Sequence, residues 1–203
     1  MLNGALSRAA CLRSIESMTA ATPRSGGVLR RGQEICDVRL RSCFEHVPDD
    51  DVAAVMTETL WTAALAIIDR DEASQCRLDG PKFCSYPAGG YFRAHRDRSQ
   101  DPRDPAYVRC RTLSFSCVLN DHHSAGGLPT FDGGTFVLYV PDANGSVAAV
   151  NLRPSAGSVV AFRAGLMHEV RPVRTGTRFA VVAWLYTLDE TREMTRTHEY
   201  ALR

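Results

Sequence analysis

Lysine is almost absent from this chain. Of its 24 basic residues, all but Lys82 are arginines. Charge of one sign is absent too: 23 acidic residues bring the formal net charge to +1, so nothing global points to nucleic acid. There is no apolar run near the roughly 18 residues that a membrane-spanning helix requires. The longest candidate, Ala63 to Ile68, lies inside an amphipathic pattern, so no membrane association is expected. The seven cysteines (Cys11, Cys36, Cys43, Cys76, Cys84, Cys110 and Cys117) include no CxxC pair and are odd in number. That excludes a disulfide framework and a structural zinc site, and it suits a reducing, cytoplasm-like compartment. No internal repeat appears. What remains is 203 residues of ordinary globular composition, 44% hydrophobic and 23% charged, enough for one domain with its own core.

Residues 1–27 stand apart. They carry Arg8, Arg13 and Arg24, four serines and a single acid, Glu16. This is the composition of a flexible N-terminal segment, or of an organelle-targeting peptide as the alternative to a cytoplasmic location. The functional domain is expected over 28–203. Glu34 to Val47 alternates as one strand does, and Pro48 ends it. Asp49, Asp50 and Asp51 then open a helix that runs to about Arg70. Its core stripe is Val52, Val55, Met56, Thr59, Leu60, Ala63 and Ile67. After Gly80-Pro81 the pattern is of strands alone. Segments 82–86, 91–97, 111–120, 135–140, 147–152, 158–163, 168–173 and 178–188 are separated by Gly, Pro, Asn or Asp. Eight short strands without helical crossovers predict a mainly β protein, an antiparallel sandwich or barrel with the helix on one outer face.

Chemistry concentrates in that region. On a strand, His95 and Asp97 project to the same side, as two ligands of one metal would. His168 follows a glycine at the start of a late strand. Two histidines and one carboxylate inside a small barrel form a facial triad, the ligand set of non-haem Fe(II) enzymes. Arg178 opens the apolar strand that ends in Trp184, past the predicted turn 174–177. If that turn makes a hairpin, Arg178 lies about 15 Å along the sheet from His168. A five-carbon dicarboxylate can then chelate iron at one end and meet the guanidinium at the other. The pair His122 and His123, in a glycine-rich loop, reads as solvated. Arginines crowd 91–111 and 163–178, which predicts a basic mouth that steers an anionic co-substrate.

Taken in order, the motifs are Tyr86-Pro-Ala-Gly-Gly-Tyr91-Phe-Arg-Ala-His95-Arg-Asp97, Arg111-Thr-Leu-Ser, Gly133-Gly134-Thr135-Phe136, Gly157 to Phe162, His168-Glu-Val and Gly176-Thr-Arg178-Phe. This ordered set resembles the prolyl 4-hydroxylase-like family of Fe(II)/2-oxoglutarate dioxygenases over about residues 34–188. The resemblance implies a double-stranded β-helix (jelly-roll) core. It implies His95, Asp97 and His168 as iron ligands, Arg178 on the far carboxylate of 2-oxoglutarate, and Tyr86 hydrogen-bonded to the same co-substrate. It also implies dioxygen as oxidant, succinate and CO2 as co-products, and ascorbate as a stimulant. The prime substrate would be a peptide or a small molecule. An Arg at 178 is where collagen-type members carry Lys, and the stretches 98–109 and 120–133 are longer than usual. Two readings stand against an active oxygenase. One is a jelly-roll metal-binding module without 2-oxoglutarate turnover, and the other is a cupin-type dioxygenase that does not use 2-oxoglutarate.

Overall fold

The computed structural model describes residues 1–122 and 127–188. Its elements, in chain order, are α1 (Arg8–Ala20), β1 (Arg24–Ser25), β2 (Val28–Arg30), β3 (Gln33–Ile35), β4 (Arg41–Ser42), β5 (Phe44–His46), α2 (Asp50–Leu65), α3 (Arg70–Gln75), β6 (Cys76–Pro87), β7 (Tyr91–His95), α4 (Ala106–Arg109), β8 (Arg111–Val118), β9 (Phe131–Gly133), β10 (Phe136–Pro141), β11 (Val147–Leu152), β12 (Val159–Arg163), β13 (Met167–Val170) and β14 (Val173–Thr187). Among these residues, no helix is long and apolar enough to cross a membrane.

Two antiparallel sheets face each other. The larger has the order β1-β5-β6-β14-β8-β12, with β9 also paired to β14. The smaller has the order β11-β10-β13-β7-β4. This is the expected mainly β, double-stranded β-helix architecture with helices on its outside. The period of two along each strand sorts residues between two cores. Phe179, Val181, Ala183 and Leu185 of β14 face the helices, with Met18, Met56 and Leu60 in one buried cluster. Between the sheets, Tyr86, Val160 and Phe162 of the larger meet Phe136, Leu138 and Val170 of the smaller.

Several expectations are corrected. Within 1–27, expected to be flexible, α1 is a packed helix. Ser7 caps it by accepting from the Ala10 N–H, and Cys11, Ile15 and Met18 are buried. Composition alone hid this, because three apolar side chains at helical spacing suffice to hold α1 on the core. The single strand over 34–47 is three short ones. The Asp37 carboxylate accepts from the Arg39 N–H at 3.0 Å and builds a turn in its middle. The core stripe of α2 is narrower than predicted: Val55 and Ile67 are about half exposed, while Val52, Met56, Leu60 and Ala63 are buried. One side of α2 meets the sheet, and Val55 lies off that side. Finally, residues 174–177 are not a turn. They belong to β14, where Thr175 and Gly176 pair with Asp132 and Phe131 of β9. The chain changes sheets at Arg171-Pro172, so His168 and Arg178 stand on facing sheets rather than along one hairpin.

Candidate active site

His168 and His95 are directly opposed in the β13–β7 pair of the smaller sheet. Asp97 follows β7, and its backbone N–H donates to the Ala164 carbonyl at 3.0 Å. The three side chains converge. His95 Nε2 is 3.5 Å from Asp97 Oδ1, and His168 Nε2 is 3.3 Å from Asp97 Oδ2. One ligand atom from each lies within 4.8 Å of the others.

The surroundings fix which atoms point inward. His95 Nδ1 is 2.8 Å from the Arg93 carbonyl and His168 Nδ1 is 3.0 Å from the Leu166 carbonyl. A carbonyl only accepts, so each ring carries its proton on Nδ1 and presents the Nε2 lone pair. That is the tautomer a metal ligand needs. Burial pushes the His168 pKa down to about 4, so its ring is neutral near pH 7. Burial works against an ionised Asp97, but the two imidazole neighbours and the Ser114 hydroxyl outweigh it and hold the acid well below the usual carboxylate range. Ser114 Oγ donates to Asp97 Oδ2 at 2.7 Å. Two imidazole Nε2 atoms and an anionic carboxylate, with open space beside them, are a donor set that fits Fe(II).

The second half of the site comes from the larger sheet. Arg178 of β14 pairs in register with Tyr86 of β6, and the guanidinium carbon lies 5.6 Å from the Tyr86 ring centre. Both residues are at most 3% exposed. Gly134 makes room for this, since a Cβ there would sit 3.1 Å from Arg178 Cδ. Burial alone lowers the Arg178 pKa, and no carboxylate among the described residues is paired with it. A guanidinium stays charged even so, and a buried charge without a partner is costly. Burial pushes the Tyr86 phenol well above its ordinary range, so it remains a hydroxyl donor. Arg178, Tyr86, His95, Asp97 and His168 all line one inner cavity. The cavity thus holds a metal ligand set at one side and an unneutralised cation at the other.

Three contributors escaped the sequence reading. Arg41 of β4 is buried and lines the same cavity. It donates from Nη1 to the Gly27 carbonyl at 2.6 Å and to Glu45 at 2.7 Å. Phe92 lies between Arg41, 4.9 Å from its ring centre, and the His95 ring, stacked on it at 3.6 Å. Phe92 stands three residues before His95 inside the quoted motif, which was the one available signal. The β2–β3 hairpin forms a wall of the cleft outside, and its tip is pinned where the Gly32 N–H donates to Asp104 Oδ1 at 2.6 Å. Of the two loop histidines, His122 rests against the Phe131 ring at 4.2 Å rather than in solvent, and His123 lies outside the described residues.

A double-stranded β-helix with two histidines and a carboxylate between its sheets defines a non-haem iron oxygenase scaffold. The chain matches the 2OG-Fe(II) oxygenase superfamily over residues 81–186, about half its length, and it belongs to that family. A PKHD-type hydroxylase of Pseudoalteromonas atlantica is 29% identical over 109 residues, covering 53% of this chain and 43% of that protein. A PKHD-type hydroxylase of Gluconacetobacter diazotrophicus is 33% identical over 119 residues, covering 57% and 48%. The chain thus spans under half the length of these curated relatives. Among solved structures, a prolyl hydroxylase from Trichoplax adhaerens, in complex with a hypoxia inducible factor peptide fragment, superposes with a TM-score of 0.68. It is 17% identical and covers 94% of this chain and 84% of that one, a likeness of fold.

Proposed function

We propose that this chain is a hydroxylase that holds Fe(II) on His95, Asp97 and His168 and binds 2-oxoglutarate with Arg178 and Tyr86. The observation that carries the reading is the buried, unneutralised guanidinium of Arg178 on the cavity that the three ligands share. A dicarboxylate supplies the missing negative charge, and bidentate pairing with the guanidinium fork orients it. The same feature argues against a cupin-type enzyme or a bare metal-binding module, neither of which needs a cation there.

When bound, the iron supplies the oxidative chemistry that couples decarboxylation of 2-oxoglutarate, giving succinate and CO2, to hydroxylation of a C–H bond by dioxygen. The residues of the chain do the rest. His95 and His168 offer their Nε2 atoms, which the backbone carbonyls on Nδ1 keep aimed inward. Ser114 holds one Asp97 oxygen, which fixes the carboxylate plane. Tyr86 donates its hydroxyl to the co-substrate beside Arg178. Phe136, Phe162 and Val170 exclude water from the cavity. The prime substrate, a peptide or a small molecule, approaches from the outer cleft.

Equilibrium dialysis of 2-oxoglutarate against protein loaded with redox-silent Mn(II) tests this. Removing charge-assisted hydrogen bonds costs about 1.5–3 kcal/mol, so Arg178→Ala should weaken binding roughly 10- to 100-fold. Mn(II) binding should be unchanged. Equal 2-oxoglutarate affinity in wild type and variant would refute the role of Arg178.

A further inference from the structure

The following rests on the oxygenase reading and adds the class of its prime substrate. Outside the inner cavity, a cleft of about 460 Å³ reaches His95 and Asp97. That volume lies in the range of roughly 300–1,000 Å³ usual for ligand sites. Its acids are already engaged. Glu34 pairs with Lys82 at 3.2 Å and Asp79 with Arg111 at 2.5 Å. Asp104 accepts from Ser99 and from the Gly32 N–H. Asp97 belongs to the metal position.

Three lining cations have no such partner: Arg30, Arg93 and Arg96. Among the described residues the Arg93 guanidinium donates only from Nε, to the Arg39 carbonyl, and it lies 5.4 Å from the Tyr91 ring centre. Among the described residues the Arg96 guanidinium donates only from Nε, to the Gly165 carbonyl. No ion pair joins any of the three to a carboxylate among the described residues. Exposed arginines gain little from isolated surface pairs, yet these three stand around one cleft and concentrate a positive field over it.

The cleft also offers a strand edge. Gly27, Val28, Leu29 and Arg30 line it consecutively. Side chains on a strand alternate in direction, so the three consecutive strand residues Val28–Arg30 line a cleft only where the backbone itself faces it, while the Gly27 carbonyl before them is already taken by Arg41 Nη1. Strand β2 pairs on one side with β3, and its other edge has no partner strand among the described residues. An open edge is a template for an added extended chain. A free amino acid has no use for it.

We propose that this cleft binds an extended acidic peptide segment, its backbone along β2 and its carboxylates at Arg30, Arg93 and Arg96, with the residue between them presented to the metal position. The test uses three pools of fluorescein-labelled octapeptides, randomised except for two fixed positions filled by Asp, Asn or Lys. Anisotropy is read on protein loaded with Mn(II) and 2-oxoglutarate. The Asp pool should bind at least about tenfold more tightly than the Asn pool, and the gap should shrink with added salt. Arg30→Glu combined with Arg93→Glu should invert the order in favour of the Lys pool, a gain that a misfolded protein cannot produce. Equal binding of the Asp and Asn pools, or an unaltered Asp preference in the double variant, would overturn the proposal. So would displacement by free aspartate at lower concentration than by peptide. Dialysis of 2-oxoglutarate on the same wild-type sample separates the two levels. Loss of co-substrate binding there counts against the oxygenase reading, whereas retained binding without a pool preference counts against the acidic peptide alone.

Discussion

Ser114 shows how one hydroxyl serves a metal position it never touches. Its hydrogen bond to Asp97 Oδ2 sets the orientation of the carboxylate, and outer partners of this kind are worth about 10- to 100-fold in metal affinity. Ser114→Ala should therefore weaken Mn(II) or Fe(II) binding by roughly tenfold in calorimetry while the protein melts at nearly the same temperature. Unchanged affinity would show that Asp97 is oriented by the backbone alone. His46 offers a contrast away from the site. Its Nε2 lies 2.7 Å from Ser85 Oγ, and burial lowers its pKa. Below the ordinary histidine value of about 6.5, the unfolded chain takes up this proton more readily than the folded one, so stability falls as pH drops through that window. His46→Asn should flatten the slope of unfolding free energy between about pH 7 and 5, and an unaltered slope would assign the acid sensitivity elsewhere.

At the scale of elements, α1 is the sharpest departure from composition. Met18 is fully buried in the helix-side core. Met18→Ala should cost about 2–5 kcal/mol in urea unfolding, whereas a loosely attached segment would show almost no change. Gly157 makes the same point from the other partner: its φ is +78°, and a Cβ there would collide with the Leu6 carbonyl. The strands that carry the site were legible because Gly and Pro bracket alternating runs. β11 matches its predicted span, and β10 and β12 differ by a residue. The triad was legible because a histidine and a carboxylate stand two residues apart, although β7 ends at His95 and Asp97 lies just past it, and because two histidines and a carboxylate have few other uses inside a small barrel. Short strands held by a single turn, such as β4 and β5, carry too little periodicity to read. The passage from β13 to β14 was misread because Thr-Gly-Thr resembles a turn, although Gly176 lies within β14 against β9. Arg41 was invisible for a related reason: nothing local separates a buried arginine from an exposed one on a short strand.

For the whole molecule, the two apolar clusters are complete without any ion. Metal removal should leave a cooperatively folded protein, unlike small domains whose fold depends on zinc. Adding Mn(II) should raise the melting temperature by mass action, with about 2.7 kcal/mol gained at 100 times the dissociation constant. Unfolding by chelator alone would contradict this division of labour. Both sheets line the inner cavity, the smaller with His95 and His168 and the larger with Arg178 and Tyr86, so the proposed function has the co-substrate bridge the two sheets.

That bridging is the central claim, and one spectrum tests it most directly. Fe(II) and 2-oxoglutarate are titrated anaerobically into metal-free protein while the visible region is watched for a metal-to-ligand charge-transfer band, with His168→Ala in parallel. A band that saturates with 2-oxoglutarate in the wild type and is missing from a folded His168→Ala protein is the expected result. A folded wild-type protein that binds Fe(II) but gives no band with 2-oxoglutarate would contradict it.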